Sequence, residues 1–196
     1  MMRIGFQGDY GSFSAGVARN FVQKYVCDAT VTYVPCYTTN GVLHALECQD
    51  ITYGIFAIYN TRAGIVEETV SAIGRYRFRV VHVMIEEIRQ NVLALPGQTC
   101  RDITRIIGHP VALAQSRTKI AQHFGKCVMD DGRTQGFADG AAAARALADG
   151  TLVASTAVVG SSMLAEIYDL EIIAHDVHDD ATNKTTFLCV CYYDEK

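Results

Sequence analysis

Three strand-to-helix junctions carry the polar and glycine residues that could do chemistry: Gly8-Asp9-Tyr10-Gly11-Ser12 with Ser14, Asn60-Thr61-Arg62-Ala63-Gly64, and Gly108-His109-Pro110. In open α/β sheets ligands bind beyond the carboxyl ends of strands, where loops lead into helix N-termini. Pro110 suits the first position of a helix, whose free N–H groups and dipole favour an anion, so a carboxylate fits this chemistry. Ser12 and Ser14 read either as helix caps or as ligand contacts, and His109 either as a site imidazole or as a histidine bonded to backbone. Gly8-x-x-Gly11 lacks both the G-x-G-x-x-G spacing and the Lys-Ser/Thr of a phosphate loop, which argues against a nucleotide. The cluster His175-Asp176-Val177-His178-Asp179-Asp180 holds metal-ligand residue types, but on a return segment it reads as a polar crossover.

The elements that must position these groups alternate between strand-like and helix-like periods. Strands are expected at residues 3–6, 29–34, 53–58, 105–107, near 128, and at 152–154, 170–174 and 186–192. Helices are expected at 13–22, 38–48, 65–73, after Pro110, at 137–148 and at 162–168. The stretch 78–95 is strand-rich and ends at the turn signal Pro96-Gly97. Such alternation predicts an α/β fold with largely parallel sheets. Candidate crossings at 74–76 and 175–183 divide it into a first lobe of residues 1–75 plus 180–196 and a second lobe of 76–179.

Composition narrows the partners. The 196 residues are 49% hydrophobic and 19% charged, with 17 Lys+Arg against 21 Asp+Glu, a net charge of -4. That excludes a disordered chain and provides no positive field for a nucleic-acid backbone, so a small-molecule partner is expected. No uncharged apolar run reaches the ~20 residues of a membrane helix, and no apolar stretch precedes the first acid, so a cytoplasmic protein is expected. Seven cysteines without C-x-x-C spacing read as reduced, buried thiols, with Cys189 and Cys191 packed on one strand face.

The junctions together resemble the prephenate dehydratase family. Phe6-Gln7-Gly8-Asp9-Tyr10-Gly11-Ser12-Phe13-Ser14 is similar to its opening F-x-G-x-x-G-x-[FY]-S, and Ala57-Ile58-Tyr59-Asn60-Thr61 with Gly64 to P-I-E-N-S-x-x-G. Gly108-His109-Pro110-Val111-Ala112-Leu113-Ala114-Gln115-Ser116 resembles S-H-P-x-A-L-A-Q-C, and Asn183-Lys184-Thr185-Thr186-Phe187 resembles N-x-T-R-F. The resemblance implies a fold like the type 2 periplasmic binding proteins, two α/β lobes with the ligand cleft between them, and a homodimer. It implies a catalytic domain alone, without the ACT-type regulatory domain, and a reaction that needs no cofactor and no metal. Prephenate, a dicarboxylate, or its amino analogue arogenate would lose water and carbon dioxide. The same resemblance makes Thr185 the group acting on the leaving hydroxyl, with Asn60 and Gln115 orienting substrate. Ser12, Ser14, Tyr59, Thr61, Arg62, Gly108, His109, Thr186 and Phe187 are then the further substrate-binding candidates.

The departures matter. Thr186 stands where the family has arginine, Tyr59 where it has glutamate, Ala57 where it has proline, and Gly108 where it has serine. Losing an arginine removes a charge-assisted carboxylate partner worth about 1.5–3 kcal/mol. Arg62 and Lys184 are the cations that could replace it. A non-aromatising decarboxylase and a non-catalytic carboxylate-binding protein are the alternative readings.

Overall fold

The computed structural model describes residues 1–26, 30–132 and 140–194 and divides them into two units, Met1–Ile88 with Thr182–Lys196 and Arg89–Ala181. Cys27, Ala29 and the expected helix start at 137–139 lie outside the described residues.

In the first unit Ser12 caps helix α1 (Phe13–Tyr25), its Oγ accepting the Ala15 N–H at 3.2 Å after strand β1 (Met2–Phe6). Strand β2 (Val31–Pro35), helix α2 (Thr39–Glu47), strand β3 (Tyr53–Asn60), the two-residue β4 (Gly64–Ile65), helix α3 (Glu67–Ile73) and strand β5 (Phe78–Glu87) follow. β4 displaces the expected helix start from residue 65, because Ile65 pairs with Tyr59 and the Val66 N–H bonds the Ile58 carbonyl. The sheet order is β2-β1-β3-β11-β5, with β11 (Lys184–Tyr192) the returning strand. One face packs Phe56 and Val190 under Val42, Leu43 and Leu46 of α2 and Ala72 of α3. Phe21 of α1 meets Tyr53 and His82, with ring centroids 5.3 and 5.6 Å apart.

The second unit contains β6 (Asn91–Ala94), β7 (Arg105–Ile107), α4 (Pro110–Ala114), α5 (Arg117–Phe124), β8 (Val128–Asp130), α6 (Gly140–Ala148), β9 (Thr156–Gly160), α7 (Met163–Tyr168) and β10 (Glu171–Ala174). Its sheet order is β10-β6-β9-β7-β8. Alternation splits the strands cleanly. Val92, Ala94, Ile106 and Val159 pack with Leu113, Ile120 and Phe124, while Leu93, Ile107 and Val158 pack with the alanines of α6 and Leu164 of α7. Being covered on both faces, β9 is a continuous buried run without period two, so the strand expected at 152–154 forms instead at 156–160. Leu152 instead lies in the turn after α6, its N–H bonding the Ala146 carbonyl.

Three further expectations are corrected. The chain leaves the first unit after Ile88 and not at 74–76, because β5 pairs with β11 from Phe78↔Tyr192 to Glu87↔Lys184; it returns at Thr182. The sheets are mixed and not largely parallel: β11 runs antiparallel to both β3 and β5, and β6 runs antiparallel to β9 and β10. The thiols are also less buried than expected. Cys189 is buried, which pushes its thiol up to about 12, but Cys36, Cys100, Cys127 and Cys191 are half-buried and Cys48 is exposed. Among the described residues no helix is long and apolar enough to cross a membrane.

At the end of β8, Asp130 pairs with Arg105 and accepts the Gly132 N–H at 2.8 Å, and these partners hold its carboxyl below its ordinary 3.8. A depressed folded pKa gives stability that is present above 3.8 and lost as pH falls through the folded value. Asp130→Asn should therefore cost about 0.5–1 kcal/mol near neutrality, with the gap to the parent closing in acid. Urea melts across pH measure it.

Candidate active site

In the first unit, β3 and β11 bring Asn60 opposite Thr185. The Asn60 amide is oriented by its partners. Its Oδ1 accepts the Arg62 and Ala63 N–H groups at 2.9 and 2.8 Å, so Nδ2 must face the acceptors. That nitrogen donates to Asn183 Oδ1 at 2.8 Å, the Lys184 carbonyl at 3.2 Å and Thr185 Oγ1 at 2.8 Å. Thr61 completes the tie: its N–H bonds the Lys184 carbonyl, and its Oγ accepts the Lys184 N–H and donates to the Thr182 carbonyl. The 61–63 loop is thereby fastened to the start of β11, with Arg62 exposed at its tip.

Thr185 is 7% exposed and uses its oxygen as the acceptor for Asn60. Its own O–H can then donate to a bound molecule. Asn183, 2% exposed, is a member of this cluster that sequence reasoning did not single out. Its signal was its place as the first residue of the closing motif.

Successive strand residues point to opposite faces, so Thr186 turns away from Thr185. Thr186 opposes Tyr59 on β3 and Ile85 on β5, and Tyr59 in turn opposes Ile65. Tyr59 and Thr186 thus form a row on the face away from Asn60 and Thr185. Phe187 shares the Thr185 face but is 2% exposed and belongs to the core. An arginine at position 186 would start from the far face. Thr186→Arg should change stability by less than about 1 kcal/mol, read as a urea midpoint, because charge at the far face adds only the small energy of an exposed group.

Ser12 and Ser14 lie beyond the carboxyl end of β1, the parallel neighbour of β3, and therefore at the same end of the sheet as Asn60. Ser12 also donates to the Gln7 carbonyl at 3.3 Å, so its hydroxyl is engaged in the turn; Ser14 is buried within α1. Gln7 links this turn to the second motif. Its Oε1 accepts the Ala57 N–H at 3.0 Å and its Nε2 donates to Glu68 at 2.8 Å.

In the second unit, His109 is the N-cap of α4 and its Nδ1 accepts the Val111 N–H at 3.3 Å, the backbone-bonded reading of this histidine. The helix end expected to hold an anion thus has one of its leading N–H groups taken by the imidazole. Gly108 lies so close to Val159 that an added Cβ would sit 3.0 Å from the valine Cβ, which accounts for glycine where the family has serine. Gln115 ends α4 half-buried, and its carbonyl accepts the Asp179 N–H at 2.7 Å. Asp179 in turn accepts the Thr118 and Lys119 N–H groups and caps α5, so the acid-rich return segment is a helix-capping crossover.

The chain as a whole has counterparts among known proteins. The family model described as prephenate dehydratase matches residues 4–195. Arogenate dehydratase 5, chloroplastic, of Arabidopsis thaliana is 30% identical over 187 residues, covering 95% of this chain; the chain spans only 41% of that relative's length. Among solved structures, prephenate dehydratase from Arthrobacter aurescens in complex with L-Phe has a TM-score of 0.83 at 23% identity, with 98% of this chain and 61% of that one covered. A structure titled "GqqA- a novel type of quorum quenching acylases" has a TM-score of 0.79 at 26% identity, with 99% and 65% covered. The fold is the expected two-unit α/β class, shared with the Arthrobacter aurescens prephenate dehydratase structure. With nearly every residue inside the family model and all four motifs in sequence order, this chain belongs to the prephenate dehydratase family.

Proposed function

We propose that the chain converts prephenate or arogenate to phenylpyruvate or phenylalanine, expelling water and carbon dioxide. The observation that carries this is the Thr185 hydroxyl, held as acceptor by Asn60 with its own proton left to donate. Loss of the ring hydroxyl needs a donor at the departing oxygen, and loss of the carboxylate as carbon dioxide supplies the electron pair that completes the aromatic ring. Aromatisation provides much of the driving force, so positioning and one donor suffice. Thr185 is the donor, Asn60 fixes it, and Gln115 is assigned to substrate orientation by its motif position. Ser14, buried, and Ser12, engaged in its turn, are assigned to shaping the loop that meets the ligand. Cytoplasmic action without a cofactor belongs to the same proposal.

Incubation of pure protein with prephenate tests it, following phenylpyruvate and non-aromatic keto acids together. Phenylpyruvate well above the spontaneous rate supports the reading. A non-aromatic product would assign a decarboxylase, and binding without turnover a carboxylate-binding protein.

Arg62, exposed at the tip of the loop that Asn60 holds, is assigned to one substrate carboxylate. Arg62→Ala should raise KM by about tenfold with kcat within a few-fold, the loss of a single charge-assisted hydrogen bond. Unchanged KM and kcat would remove Arg62 from the site.

A further inference from the structure

The antiparallel ladder between β3 and β11 carries one bulge that decides what faces Thr185. It pairs Ala57 with Phe187 and then, after a register shift, Tyr59 with Thr186 and Asn60 with Thr185, so that Ile58 is the extra residue. An unbroken ladder from Ala57↔Phe187 would set Tyr59 opposite Thr185 and Asn60 opposite Lys184. One residue of slip turns every later side chain to the other face. The Asn60–Thr185 hydrogen bond therefore exists only while this bulge is held.

Ala57, the last residue before the bulge, is held by side chains at both of its backbone groups. Pairing of β1 with β3 ends at Phe6↔Ile55, and beyond that point Gln7 takes over. Its N–H bonds the Ile55 carbonyl at 2.9 Å, and its side-chain Oε1 accepts the Ala57 N–H at 3.0 Å. The Ala57 carbonyl accepts the Thr69 hydroxyl at 2.7 Å. Thr69 is fully buried and has a single hydroxyl proton, so the equally buried Thr39 hydroxyl, 2.8 Å away, must donate to it.

Glu68 sets the Gln7 amide the right way round. One carboxylate oxygen accepts from Gln7 Nε2 at 2.8 Å, and the other accepts the Thr39 N–H at 2.6 Å in the first turn of α2. With Nε2 drawn to the carboxylate, Oε1 is left facing the Ala57 N–H; a flipped amide would oppose donor to donor and acceptor to acceptor. Proline, which stands at position 57 in the family motif, has no N–H to give, so this anchor depends on the alanine found here.

We propose that Gln7 is a positioning residue for the reaction: fixed by Glu68, it holds the bulge at Ile58 and so keeps Asn60 opposite Thr185. It acts through Asn60 and touches no reacting atom. This rests on the assignment of Thr185 as proton donor and adds what sets the register of its partner.

Kinetics of phenylpyruvate formation and amide hydrogen exchange test it together. Gln7→Leu leaves the Ala57 N–H without its acceptor and should lower kcat roughly tenfold with KM within about threefold, part of the ~10²-fold that a misplacement of about 1 Å brings. Exchange at the Arg62 and Ala63 N–H groups, which Asn60 Oδ1 accepts, should speed up several-fold. Gln7→Glu sets two carboxylates against each other and should also lower kcat. Combined with Glu68→Gln it restores every bond with amide and carboxylate exchanged, and kcat should return to within about twofold of the parent. Should Gln7→Leu not fold, the comparison of Gln7→Glu with the double variant carries the test. Parental kcat and exchange in Gln7→Leu would overturn the proposal, as would a double variant no better than Gln7→Glu alone. A loss of kcat that vanishes once the folded fraction is accounted for would overturn it too. A parent that makes no phenylpyruvate would instead remove the proposed reaction, and exchange at Arg62 and Ala63 would still decide whether Gln7 holds Asn60.

Discussion

Thr185→Val should reduce formation of phenylpyruvate from prephenate by about 10²–10⁴-fold, the usual contribution of a positioned proton donor. Valine keeps the shape and the β-branched preference for a strand, so β11 should form as before. The stability cost should be small, about 1 kcal/mol, because the two hydrogens of Asn60 Nδ2 keep two acceptors, Asn183 Oδ1 and the Lys184 carbonyl. Thr185→Ser retains the hydroxyl and should recover most of the rate. Steady-state kinetics with a substrate-binding measurement separate the outcomes. Parental turnover in the valine variant would mean that another group acts on the leaving hydroxyl.

Asn60→Asp should be the more damaging change to the fold. One carboxylate oxygen can still accept from the Arg62 and Ala63 N–H groups, but the other would face Asn183 Oδ1 and the Lys184 carbonyl, both acceptors. Setting a carboxylate oxygen against these acceptors, of which the Lys184 carbonyl keeps the Thr61 N–H, should cost about 2–3 kcal/mol, read as a lower urea midpoint at unchanged m-value. The new carboxylate would also draw the Thr185 proton toward itself, 2.8 Å away in the parent amide geometry, and turnover should fall with stability. A neutral variant with an unchanged midpoint would mean that the Asn60 amide does not hold the loop to β11.

Legibility followed distance along the chain. Ser12 was readable as a helix cap because cap and first turn lie within a few residues, and His109 before Pro110 was readable in the same way. The strand at 156–160 was misplaced because burial on both faces removes the alternation that marks a strand. The crossing at Ile88 was hidden because nothing local to 78–87 states which sheet it joins; its partner β11 lies about a hundred residues later.

The sequence by itself determined the α/β class, the four motifs and their order, and hence the family. It also determined the chemical inventory: a threonine hydroxyl, two amides and an arginine beside a strand end. Tertiary structure alone decided which of these meet. Asn60 reaches Thr185 across 125 positions, Asn183 joins them, and Thr186, adjacent to Thr185 in sequence, falls on the other face of the sheet. The physical reason is register. Motifs are local and survive in the letters, whereas the face a side chain occupies depends on strand pairing and on single-residue bulges, as at Ile58 and Val81, that long-range contacts set.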